Sequence, residues 1–345
     1  MQPAPKSIIK IEKKVFEFQV AAITLILLLS NFSIAWGQRQ PVATGNLREL
    51  VCQPVARIIK GDIRLAAGSQ ACKEDHLQPA NGTTVEVLCY GKGNILQLKS
   101  GIIDEQCSLI SNNQAQVCIR GKRFNCFRTR GLEEDENTPT LITPYSPLIL
   151  NPRPALSWTP VPNAIGYIVQ IKGPGVDWSK EVNPTSLPYP QEQPAMQPGT
   201  ISQINVLAKM AEQKFIVSSS ILMILHPQKA QQIKVIIEGI QSLKLHPDEL
   251  AIDLNYVYKA NDLLSEAIKV LKERIKARTQ NPTIYRVLGD RYLDVGLPEE
   301  ASREYRMAIE YAKLRGNVIE LAKAQTGLEL SLQSQLPTRI NPDQK

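Results

Sequence analysis

The chain lacks the short motifs that mark a catalytic centre: no GxSxG, HExxH, GxxxxGKS, GxxxxGKT or GxGxxG pattern occurs among its 345 residues. Gly91-Lys92-Gly93 is too short to cradle a phosphate. Histidine is scarce, with only His76, His226 and His246, the last two each followed by proline. An imidazole base or ligand set therefore has few sources, and no catalytic residue, cofactor or metal site is expected. No CxxC pair exists: the closest cysteines, Cys118 and Cys126, are eight positions apart with only His76 in the same region, which argues against zinc. Strong charge is missing too. The formal net charge of +7 falls to +5 (7 − 4 + 2) without residues 1–37, which carry Lys6, Lys10, Lys13, Lys14, Glu12 and Glu17. So weak a balance gives no ground for expecting nucleic acid as a partner.

Residues 1–37 carry those four lysines, an apolar run over 20–29 and the small residues of Ala35-Trp36-Gly37. That pattern predicts an export signal cleaved after Ala35 or Gly37, with an uncleaved N-terminal anchor as the alternative and the only expected attachment to a membrane. On either reading the remainder is extracytoplasmic, in the periplasm, on the cell surface or secreted. Cysteine usage points the same way. Cys52, Cys72, Cys89, Cys107, Cys118 and Cys126 are clustered and even in number, and the 219 residues that follow contain none. Three disulfides are expected, bracing a β domain over 38–137, with fifteen pairings open.

Within that domain, strands are predicted at 55–59, 63–66, 83–90 and 94–99, punctuated by Gly61-Asp62, Asn81-Gly82 and Gly91-Lys92-Gly93. The stretch Ile59-Lys60-Gly61-Asp62-Ile63-Arg64-Leu65, with the later Leu96-Gln97-Leu98-Lys99-Ser100-Gly101, resembles the β domain of FecR-type envelope proteins. The six cysteines depart from that pattern, so a sigma-factor-regulating role is not implied. Arg120, Lys122, Arg123, Arg128 and Arg130, interleaved with Phe124 and Phe127, form a candidate polyanion patch, although Glu133, Glu134, Asp135 and Glu136 follow at once and can neutralise it.

Prolines crowd residues 138–200, and 138–154 reads as a proline-punctuated linker opening the next unit, 138–226. Trp158 ending a short strand, the turn Pro160-Val161-Pro162-Asn163-Ala164, and then Tyr167 with alternating aliphatics resemble the B and C strands of a fibronectin type III-like sandwich. Further strands are expected at 201–207 and 215–225. Trp158 and Tyr167 are expected in the core; Trp178, in a turn-rich stretch, is a candidate for stacking on sugar, with packing at the sandwich edge the alternative.

After residue 226 the apolar period changes. Ile233, Ile236, Ile237, Ile240 and Leu243 recur at helical spacing, predicting a connecting helix within 227–246. Beyond it, Leu254 and Leu288, Tyr258 and Tyr292, and Ala267 and Ala301 are each 34 residues apart. Tyr285, Leu288, Gly289, Tyr292, Gly296, Ala301, Tyr305 and Ala308 match the signature positions of the tetratricopeptide repeat, so 247–337 resembles a short array of such repeats. The first unit is more degenerate, with Asn255 and Asp262 where the second has Gly289 and Gly296, and a helix over 318–332 is expected to cap the array. Residues 338–345 read as an unstructured tail.

The fold class expected is therefore multidomain, β then α: a disulfide-rich β domain, a fibronectin type III-like sandwich and a helical repeat array. The resemblance implies a concave groove lined by the first helix of each repeat, with Ile252, Asp253, Tyr256, Lys259, Arg286, Asp290, Leu293 and Asp294 facing a partner. The carboxylate clamp of chaperone-binding relatives is missing, since Ile252 and Tyr256 occupy its first-repeat places. A non-catalytic scaffold or adaptor for a partner protein is the expected function. A cell-surface glycan or polyanion binder and an envelope signal-sensing module are the alternatives.

Overall fold

The computed structural model describes residues 52–80, 82–92, 95–107 and 137–335, all within one compact unit, Arg48–Lys345. The chain is β-rich first and helical afterwards. Strands β1 (Pro54–Lys60), β2 (Gln70–Cys72), β4 (Val85–Cys89) and β5 (Ile95–Leu98) form an antiparallel sheet in the order β2-β1-β4-β5. β3 (His76–Leu77) pairs with β6 (Gly101–Ile102), which runs into the short helix α1 (Ile103–Cys107). Ala56, Ile58, Leu77, Val85, Val87 and Ile103 are the core of this unit.

Two disulfides, Cys52–Cys72 and Cys89–Cys107, span sequence separations of 20 and 18 residues; the first ties the chain ahead of β1 to β2 and the second ties β4 to α1. Such bonds belong to an oxidising, extracytoplasmic environment. Cys118, Cys126 and the basic residues Arg120, Lys122, Arg123, Arg128 and Arg130 lie outside the described residues, as do the expected signal segment and tail. Among the described residues no helix is long and apolar enough to cross a membrane.

The expected strand at 63–66 does not form. The Asp62 carboxylate accepts from the backbone N–H groups of Arg64 and Leu65 at 2.8 Å each and of Gln78 at 2.7 Å, and this turns the chain where apolar alternation had suggested extension. The supposed linker at 138–154 is also different, because β7 (Leu141–Thr143) and β8 (Leu148–Ile149) are strands of the second unit. With β9 (Leu156–Trp158), β10 (Gly166–Gly173), β11 (Val176–Val182), β12 (Ser186–Leu187), β13 (Ile201–Lys209) and β14 (Phe215–Ile224) they make two sheets, β12-β9-β7 and β11-β10-β13-β14-β8. The sheets share one apolar core.

Trp158 and Tyr167 meet edge to face in that core, ring centroids 5.5 Å apart, and the Tyr167 hydroxyl accepts the Val161 N–H at 2.9 Å. That bond closes the turn in which Asn163 takes φ 63°. Trp178 is buried, its Nε1 donating to the Tyr189 hydroxyl at 3.3 Å, and so offers no face for a sugar.

Six helices follow among the described residues: α2 (Pro227–Ser242), α3 (Pro247–Ala260), α4 (Leu264–Lys276), α5 (Pro282–Asp294), α6 (Pro298–Leu314) and α7 (Val318–Gln335). Proline opens four of the hairpin and connecting helices α2, α3, α5 and α6, where its missing N–H costs nothing. His226 and His246 accept from the N–H groups of Gln228 and Asp248, each at 3.4 Å, so these two histidines act as helix N-caps. α2 buries Ile233, Ile236 and Ile240 beside Leu254 and Val257 of α3. α3 and α4 form one hairpin and α5 and α6 a second, with α5 lying between α3 and α7.

Both hairpin turns carry a left-handed residue at the same position of the 34-residue period, Asp262 (φ 59°) and Gly296 (φ 74°). In the second hairpin the Tyr305 ring is wedged between α5 and α7. A Cβ added to Gly289 would come within 2.8 Å of that ring, and one added to Gly327 within 2.4 Å. Asn255 fits at the corresponding place in the first hairpin because Leu271, not tyrosine, stands 34 residues before Tyr305. The Asn255 amide is nonetheless buried with neither of its polar atoms hydrogen-bonded.

Candidate protein-binding groove

The first helices of the hairpins, α3 and α5, lie side by side with α7, and the residues expected to face a partner fall on them in two groups. One group is closed. Ile252 and Asp253 are buried, and Asp253 is fully inaccessible to solvent (0%). Ile252 packs into the helical core with Ile268, Leu271 and Ile284, and the disulfide-braced sheet covers Asp253. Arg57 of β1 donates from Nε to Asp253 Oδ2 and from Nη2 to Oδ1 at 3.0 Å, the Tyr90 hydroxyl donates to Oδ1 at 2.7 Å, and Gln70 Nε2 donates to Oδ1 at 3.2 Å. Tyr256 stacks on Tyr90 with ring centroids 5.8 Å apart. Three chain segments of the β unit thus converge on one carboxylate of α3.

The electrostatics follow from that enclosure. Burial opposes the charge on Arg57, but the hydrogen-bonded Asp253 carboxylate outweighs it and holds the guanidinium above its usual pKa. Burial, and then the nearby Asp253 charge, push the Tyr90 phenol well above its ordinary value, so it stays a neutral donor. Both faces of β4 are buried for the same reason: Leu88, on the face away from the strand's own core, and Tyr90 just after the strand pack beside Leu254 and Val257.

The second group lies on α5. Arg286 donates from Nε to Glu320 Oε2 at 2.6 Å and from Nη1 to Asp290 Oδ2 at 2.7 Å, and Tyr305 donates to Asp290 Oδ1 at 2.8 Å. Burial works against the Arg286 charge, yet Asp290 and Glu320 together raise its pKa. This network spans α5, α6 and α7 and is internal bonding more than a docking surface. Lys259 of α3 and Asp294 of α5 form an ion pair of 3.1 Å with Lys259 exposed, and Leu293 beside it is half-buried. Of the residues expected to face a partner, Lys259, Leu293 and Asp294 are the ones left open to solvent.

No family model matches the chain, and no curated protein matches its sequence. A solved structure of Astrotactin-2, described as a conserved vertebrate-specific and perforin-like membrane protein involved in neuronal development, is similar at 13% identity, over 58% of this chain, with a TM-score of 0.18. This chain spans 37% of that protein's length, and likeness at this level carries no argument about fold or role.

Sequence reasoning missed Arg57, Gln70 and Tyr90 as partners of Asp253. The available signals were slight: an arginine inside an apolar strand, and an aspartate among the apolar residues of a helix. Gly327 was also missed, although a lone glycine inside an 18-residue helix signals close packing. Among the described residues no cluster of histidine, cysteine, aspartate or glutamate is arranged to hold a metal ion.

Proposed function

We propose that this protein is an exported, non-catalytic scaffold whose C-terminal helices are a tetratricopeptide-repeat array, carried behind a fibronectin type III-like sandwich and a FecR-like β domain. It binds a partner protein on the open part of the array, around Lys259, Leu293 and Asp294. One observation carries the reading: the α3 part of the same face already holds polypeptide, by a buried ion pair, a phenol hydrogen bond and an aromatic stack. A surface that binds protein in this way on one half is chemically suited to do so on the other. The open half mixes both charges with an apolar side chain, which matches the rim and centre of a protein interface.

The test is affinity capture from the exporting cell with the full chain. Lys259→Glu plus Leu293→Gln changes the open half without touching the Arg286 network. A stoichiometric protein partner retained by the wild type and lost by this variant supports the proposal. Retention of polysaccharide alone, or a partner indifferent to the substitutions, refutes it. A sensing role is favoured by a separate feature, the coupling of the disulfide-braced sheet to α3 through Asp253. Under that reading, reducing the disulfides changes partner affinity by loosening the sheet from the groove.

A further inference from the structure

The sandwich leaves one edge open. β14 pairs with β13 along its whole length, but on its other side β8 meets it only at Met223 and Ile224. Among the described residues no strand pairs with residues 215–222 on that side. The Ile224 N–H and C=O bond toward β13, whereas the N–H groups of Met223 and Leu225 bond away from it, to Pro147 at 2.7 Å and Ile149 at 2.9 Å. By the two-residue period of a strand, the backbone groups of Phe215, Val217, Ser219 and Ile221 also point away from β13, toward the open edge.

This edge carries none of the usual protection. From 215 to 225 there is no charged residue, no proline and no glycine. The outer face exposes Phe215 (45%), Val217 (51%), Ile221 (43%) and Met223 (42%). An uncharged, apolar edge of this length is a template for another strand, and stable proteins normally blunt such edges with charge or a bulge.

We infer that β14 is a homodimer interface, pairing antiparallel with β14 of a second copy about a two-fold axis at Ser218. A second copy suits this edge because it brings the same uncharged strand, with exposed apolar residues at both ends to meet Phe215 and Ile221. In that register Phe215 lies opposite the partner's Ile221 and Val217 opposite the partner's Ser219, so all four edge-pointing residues find edge-pointing partners. Four such pairs with two bonds each give about eight new hydrogen bonds. The apolar side chains meet on one face, and the small Ser218 meets only itself. The pairing ends at Ile221, one turn of the pleat before Met223, where β8 takes over. The two five-stranded sheets become one, and each dimer carries two copies of the helical array.

Sedimentation equilibrium of the full chain at tens of micromolar tests the pairing. The wild type is expected at twice the chain mass, and Val217→Lys plus Ile221→Lys at the single mass with an unchanged circular dichroism spectrum. Because both positions are solvent-exposed in one copy, these substitutions leave the monomer intact. A second variant tests the register: the Cα atoms of the Ser218 pair would stand about 4.5 Å apart, within the range a disulfide spans. Ser218→Cys should therefore form a covalent dimer on mild oxidation, and Ser220→Cys should not. A monomeric wild type, a dimer that survives the double lysine variant, or equal cross-linking at 218 and 220 overturns the inference. A co-purifying chain of a different sequence seated on this edge overturns it as well.

Discussion

Removing the Asp253 carboxylate is the sharpest test of how the β unit and the helices are joined. Asp253 is wholly buried and Arg57 nearly so, and four hydrogen bonds from three residues, Arg57, Tyr90 and Gln70, converge on its two oxygens. At about 3 Å and an effective dielectric constant near 20, the bare attraction of the charged pair is about 5 kcal/mol. Desolvation costs several kcal/mol for each ion, so the pair contributes little net stability over a well-packed apolar replacement. Breaking it from one side is different. Asp253→Leu leaves a buried guanidinium without its counter-charge and a buried phenol without its acceptor, which costs about 3–5 kcal/mol. Arg57→Met combined with Asp253→Leu removes the orphaned charge and should recover most of that loss. Urea unfolding, followed by tryptophan fluorescence for the sandwich and far-ultraviolet circular dichroism for the helices, measures Asp253→Leu, Arg57→Met, the double variant and the wild type. A single-variant loss below about 1 kcal/mol, or a double variant as unstable as the sum of the singles, would falsify the buried coupling.

Three other outcomes follow from local geometry. Gly289→Ala forces a methyl within 2.8 Å of the Tyr305 ring and should cost about 1–3 kcal/mol, most of it returned when Tyr305→Leu is added, as Asn255 and Leu271 already coexist in the first hairpin; thermal unfolding of the pair decides. Arg278 sits in the left-handed region (φ 60°) just after α4, where its N–H bonds Ile275 and the Thr279 N–H bonds Arg274, so Arg278→Gly should raise stability by about 0.5–1 kcal/mol, and an unchanged or lower melting temperature contradicts this. Asp248 accepts from Arg274 at 2.8 Å and Thr279 at 2.7 Å. Although burial pushes its pKa up, these partners win and hold it below its ordinary value; because the folded value is the lower one, the stabilisation is full at neutral pH and fades as pH falls below about 4. Stability of Asp248→Asn measured against pH should show a deficit at pH 7 that closes in acid.

Much of the architecture could be read in the sequence because it rests on repeated local signals. The 34-residue spacing of Leu254 and Leu288 or Tyr258 and Tyr292 reports helices that need the same packing twice, and the alternation after Tyr167 reports a strand with one buried face. The missed features are those set by distant contacts. Leu88 on β4 and Tyr90 just after it fall on the face away from the sheet's own core and are buried by the helices α2 and α3. Asp253 reads as a surface charge on its helix until Arg57, 196 positions earlier, is brought against it. β2 and β3, at three and two residues, are too short to show any period. The Arg286 and Asp290 side chains carry the polarity of a binding surface, yet Glu320 and Tyr305 satisfy them from neighbouring helices.

The reading as a scaffold stands or falls on what touches the open half of the helical face. Site-specific photo-crosslinking in the exporting cell measures this directly, with a photoreactive amino acid placed at Leu293 on α5 or, as the control, at the exposed Arg303 on α6. The account predicts a discrete protein adduct from position 293 and none from position 303. No adduct from 293, or the same adducts from both positions, contradicts it.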